Sequence, residues 1–87
     1  MRDDAILWAV NFAILTAHRL GEPRVIELTH DQADGLRRCS KPTDWAPGAY
    51  RGLRIAEREG SAGRVLAWDR ARETEMAQPI PWPSALG

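Results

Sequence analysis

Residues 5 to 17, AILWAVNFAILTA, carry no charge and only two polar side chains, Asn11 and Thr16. Apolar residues occupy every phase of a 3.6-residue period here, so the pattern predicts a helix that is greasy almost all round. Asp3 and Asp4 suit its positive N-terminal end, Gly21 ends it and Pro23 bars its resumption, which places the helix at about 4 to 20. Ala5, Ala9, Ala13 and Ala17 recur every four residues as a ridge of small side chains, flanked by Ile6, Val10 and Leu20. Trp8, Phe12 and Leu15 form a second apolar set roughly opposite, with Leu7 and Ile14 between the two.

The next stretch, RVIEL at 24 to 28, is β-branched and apolar and reads as a strand. In LTHDQADGLRRCSK, residues 28 to 41, the pattern returns to a helical period. Thr29 with Gln32 makes a capping box. Asp31 and Asp34 fall in the first half and Arg37 and Arg38 in the last turn, as the helix dipole favours, and His30 faces Asp34 four residues on. A helix over 29 to 39 therefore explains nearly all of these charges. Ala33, Leu36 and Cys39 share its narrow apolar face, and Gly35 leaves room for close contact with the sheet.

Residues 40 to 49 contain Pro42, Pro47 and Gly48 and read as a loop. YRGLRIAERE, then GSAG, then RVLAWD reads as a β-hairpin, with Arg54, Arg58 and Tyr50 on one face of its first arm. Trp68 belongs to the apolar second arm and is expected in the core. Residues 70 to 77 are polar and ambiguous, fitting one or two helical turns after Asp69 or a strand. The pattern as a whole predicts a small α+β domain, ordered α-β-α-β-β, with a three-stranded sheet. The compact part spans 1 to 78, followed by a Pro-rich tail over 79 to 87 that contains Trp82.

Composition narrows the function. The chain has 87 residues, enough for one domain with a modest core. Twelve basic residues balance twelve acidic ones, so bulk charge argues for neither nucleic acid nor an anionic membrane. Eleven of the twelve basic residues are Arg, which codon usage in a GC-rich genome explains without appeal to function. The apolar run is shorter than the roughly 20 residues of a membrane span, and its acidic flank is unlike a signal peptide. One cysteine forms no internal disulfide and fits a cytoplasmic protein.

Chemistry is sparse. His18 and His30 have no second ligand at i+3 or i+4 that would make a metal pair, so no metal and no cofactor are expected. GSAG lacks the Lys-Ser/Thr of a phosphate loop, and Ser40, Ser61 and Ser84 sit in no nucleophile motif. Cys39 beside Arg37 and Arg38 would need a base. His30 is two and a half turns away on the same helix, out of reach. A non-enzymatic protein is therefore expected.

Interaction is the leading expectation: a small protein-binding module that meets a protein partner or pairs as a homodimer. A helix apolar on every side is either a central core helix wrapped by the chain's own loops or an interface; as an interface, Trp8 and Phe12 would anchor the contact, with the alanine ridge permitting close helix approach. Trp45, in the Pro/Gly loop, and Trp82, in the tail, are further contact candidates. Compact neutral domains of this kind are common among phage and mobile-element proteins, including inhibitors of host complexes. The second reading is a nucleic-acid-binding accessory domain using Arg37, Arg38, Lys41, Arg54 and Arg58, with no role for a membrane.

Overall fold

A computed structural model describes residues 3–82. Helix α1 spans Asp3–Ala17 and helix α2 His30–Cys39. The strands are β1 (Glu22–Leu28), β2 (Trp45–Ala46), β3 (Ala49–Tyr50), β4 (Leu53–Glu57), β5 (Arg64–Asp69) and β6 (Thr74–Pro79), with a 3-10 turn over Pro42–Asp44. The α+β class is as expected, but the sheet has six strands rather than three, in the order β2-β3-β4-β1-β5-β6.

The hairpin reading of 50 to 69 fails in a specific way. β4 and β5 do not pair with each other, because β1 lies between them, parallel to β4 and antiparallel to β5. Residues 58 to 63 carry the chain across the end of β1, where the Arg58 N–H donates to the Leu28 carbonyl at 2.7 Å. Inserting β1 hydrogen-bonds both its edges, which a bare β4–β5 hairpin would leave open. β5 makes its hairpin with β6 instead, which resolves the polar stretch 70 to 77 into a turn followed by strand from Thr74. Asp69 shapes that turn by accepting the backbone N–H groups of Ala71 and Arg72 at 3.0 and 3.2 Å. The predicted loop 40 to 49 contributes β2 and the first residue of β3, Ala49, which pairs with Ala46. Pro23 lies inside β1 at the end that only β5 pairs, and the β1–β5 register shifts between Pro23 and Val25, the kind of irregularity that accommodates a residue without an N–H.

α2 forms where its caps place it. The Thr29 hydroxyl accepts the Gln32 N–H at 3.1 Å, and the Gln32 side chain accepts the Thr29 N–H at 2.9 Å. At the other end the Leu36 carbonyl accepts from the Ser40 hydroxyl at 2.6 Å and from the Cys39 thiol at 3.5 Å. α2, followed by the β2–β3 ribbon, supplies the crossover that two parallel neighbours, β1 and β4, require. α1 packs on α2, and both lie on the same face of the sheet.

That shared layer is the core. Ala9, Val10, Ala13 and Ala17 of α1 and Ala33 and Leu36 of α2 meet Ile26, Leu28, Tyr50, Leu53, Val65, Ala67 and Ile80. The alanine ridge is therefore spent inside the domain, where small side chains let α1 sit close to the sheet; it offers no outer surface for helix pairing. Gly35 likewise faces the Ile6 side chain of α1 rather than the sheet. Period-2 alternation sends Val25, Leu66, Trp68, Ala56 and Arg54 to the opposite face, which carries no helix among the described residues. Trp68 is thus only half-buried, with the Arg24 guanidinium 5.6 Å from its ring. Tyr50 pairs with Leu53 and is buried, so it lies on the face opposite Arg54, not beside it.

Candidate functional site

With its alanines turned inward, α1 turns Trp8, Phe12 and Leu15 outward. They are 58%, 40% and 67% exposed, the large apolar side chains most open to solvent among the described residues. Full burial of such a side chain gains about 1.5–3 kcal/mol, roughly half of which this domain leaves unrealised on this face. Trp8 and Phe12, one turn apart, stack with ring centroids 5.1 Å apart and planes 16° from parallel. With Leu7, Asn11 and Leu15 they line a shallow groove of about 370 Å³.

Three contacts fix how far α1 is rotated, and hence which side chains face out. The alanine ridge is pressed to the sheet. Ile6 lies against Gly35 of α2, whose missing side chain makes room for it. The Tyr50 hydroxyl donates to Asn11 Oδ1 at 2.8 Å, tying the flank of α1 to β3. Burial holds the Tyr50 phenol above its ordinary range, so it stays protonated and donating. Thr16, the other polar residue of the helix, turns its hydroxyl back to the Phe12 and Ala13 carbonyls at 3.0 and 3.1 Å. The outer surface is therefore largely apolar and uncharged, with Asn11 its polar member.

The other two tryptophans proposed as contacts are engaged by the domain itself. Trp45 is half-buried over Tyr50, with centroids 5.1 Å apart; its indole N–H donates to the Ser40 hydroxyl at 2.6 Å, and Arg37 lies 5.1 Å from its ring. Trp82 docks on Gly63 and donates its indole N–H to the Ala62 carbonyl at 2.6 Å. A Cβ on Gly63 would come 2.7 Å from that ring, and the glycine has φ +88°, so only glycine suits this seat. Both rings act as lids on the edge of the core.

The basic residues separate into two groups. Arg37, Arg38 and Lys41 lie exposed at the C-terminal end of α2, whereas Arg54 projects from the helix-free sheet face and Arg58 follows β4. Arg58 approaches Glu27 at 3.7 Å, and Arg64 contacts the same carboxylate at 3.2 Å, with the Ser61 hydroxyl also at 3.2 Å. Glu27 is covered by these side chains rather than by depth. Its carboxyl is held below the usual range, first by the Arg64 hydrogen bond and further by the Ser61 hydroxyl and the charges of Arg64 and Arg58. A cleft of about 430 Å³ opens beside it, between residues 58 to 64 and the end of β6. The cluster fastens the crossover loop to β1 and β5. Sequence alone hid it, because Glu27 and Arg64 meet only through the β1–β5 register.

Among the described residues no three His, Cys, Asp or Glu side chains converge as a metal site requires. No described helix is long and apolar enough to cross a membrane. No family model, curated protein or solved structure matches the chain.

Proposed function

We propose that this chain is a non-enzymatic interaction module that docks a protein through the outer face of α1. The observation that carries the reading is the stacked Trp8–Phe12 pair continued by Leu15, exposed on a helix whose opposite side is fully packed. Aromatic anchors on a rigid element lose little conformational freedom on binding and dominate interface energies. Nucleic acid is the weaker reading: of its candidate residues, Arg58 lies within 4 Å of Glu27, Arg37 rests 5.1 Å from the Trp45 ring, and Arg54 lies on the helix-free sheet face away from Arg37, Arg38 and Lys41.

A photo-crosslinking residue placed at Phe12, in the cells that make the protein, tests the reading against the same residue at Arg72 on the β5–β6 turn. The expected outcome is a discrete protein adduct from position 12 that disappears with Trp8→Ser, and none from position 72. Equal labelling from both positions, or none from position 12, overturns it.

A further inference from the structure

We infer that the outer edge of β6 takes an added strand, an extended segment of another protein that is apolar at every second residue and basic at the residues between. The inference goes beyond the α1 reading and does not rest on it. β6 ends the sheet on one side and β2 on the other. β2 has two residues, too few to hold a further strand. β6 has six, and it pairs with β5 without a bulge, from Arg64 opposite Pro79 to Asp69 opposite Thr74. A long regular edge is a template for pairing.

The backbone fixes which groups face out. The Ile80 N–H donates to the Gly63 carbonyl at 3.1 Å, so the ladder turns Gln78, Met76 and Thr74 toward β5 and turns Glu75 and Ala77 away from it. The N–H and carbonyl of these two outward residues have no partner among the described residues. An extended backbone offers acceptors and donors in the same alternation. The edge is bounded at both ends. Pro79 has no N–H, and its carbonyl accepts the Gln78 side-chain amide at 3.2 Å. Glu73, at φ 52°, turns the chain back, and Arg72 reaches to within 3.7 Å of the Asp69 carboxylate.

The two faces state what such a segment carries. α1 packs on β5 and β6 and α2 on β1 and β4, so the free edge runs beside α1. On that side Met76 and Gln78 are half-buried, and a strand added there continues the same layer, which suits apolar side chains. On the helix-free side Glu75 is exposed, and β6 contains no Lys or Arg to balance it. A base opposite Glu75 gains a cross-strand charge pair. A second copy of β6 would supply another Glu75 and no base, so charge favours a foreign segment over self-pairing.

The probe is a short, end-blocked peptide of alternating Val and Lys, added to the isotope-labelled intact chain and read by amide resonances and hydrogen exchange. The Glu75 and Ala77 amides are expected to shift together and to exchange more slowly, with a dissociation constant on the order of 1 mM for so few hydrogen bonds. A peptide of alternating Val and Glu binds roughly threefold more weakly, and Glu75→Lys reverses that preference. Ala77→Pro removes one outward donor at the phase that Pro79 already occupies; it leaves the circular dichroism unchanged and abolishes the response. If Ala77→Pro unfolds, the reversal by Glu75→Lys decides alone. Silence of these two amides toward both peptides overturns the inference. So does a response that survives Ala77→Pro, or one indifferent to the peptide's charge. Protection of the same amides that grows with protein concentration alone overturns the foreign segment and assigns the edge to a second copy.

Discussion

His30 opens α2, and its imidazole Nδ1 lies 2.6 Å from a Glu57 carboxylate oxygen at the end of β4. The Glu57 hydrogen bond and charge raise the His30 pKa above 6.5, with Asp34 and Asp31 adding less. A raised folded pKa means that the protonated pair stabilises the fold fully below the unfolded value and that this contribution is lost as pH rises through the folded value. Thermal melts across pH 5.5 to 8.5 are therefore expected to fall over that window in the native chain, and to lose this dependence in His30→Ala. An unchanged profile in the variant would remove the pair from the account. The sequence places His30 on a helix facing Asp34, since that spacing is local. Its stronger partner, Glu57, is 27 residues away and becomes its neighbour only when β4 docks beside β1.

At the scale of elements, α2 is the most legible part of the chain. Its cap, its dipole-matched charges and its apolar face are all set within about ten residues, and the structure bounds it at His30–Cys39. Gly35 is the local exception, a weak helix former in mid-helix. A Cβ there would meet only the end of the Ile6 side chain at 3.4 Å and the Arg38 guanidinium at 3.7 Å. Both can shift, so propensity decides the sign: Gly35→Ala is expected to stabilise by about 0.5–1 kcal/mol in urea denaturation. A loss of stability would show that the α1–α2 contact tolerates no added methyl. Strand content was partly legible too, through the β-branched runs of β1 and β5. β6 was not: Thr74, Glu75 and Gln78 give it no apolar alternation, and it exists because β5 offers a free edge.

For the whole molecule, the decisive arrangement is a sheet covered by helices on one face, with one helix burying its small side chains and exposing its large ones. Of the two readings open to the alanine ridge, core packing or contact with another chain, Ala9, Ala13 and Ala17 take the first. Ala13→Leu adds volume where the exposure is 0% and is expected to cost about 1–3 kcal/mol. Phe12→Ser removes a side chain that is 40% exposed and is expected to cost less, about 1 kcal/mol. Chemical denaturation of the two variants side by side checks both. If Phe12→Ser were the more damaging, the inside and outside of α1 would have to be exchanged.

Local information, by itself, determined that α1 is apolar on every side, that Thr29 starts a helix, that residues 24 to 28 and 64 to 68 extend as strand, and that Trp8 lies among apolar neighbours. Those properties depend on spacing within a few turns, on caps and on β-branching, which act without the rest of the chain. Tertiary structure alone decided that β1 enters between β4 and β5, that Glu27 meets Arg58 and Arg64, and which side of α1 is left in water. A strand edge can be completed by any strand of suitable length, and a helix apolar all round has no preferred inside. The choice falls to packing: alanines let the helix approach the sheet closely, whereas Trp8 and Phe12 would hold it away, so the bulky face stays out.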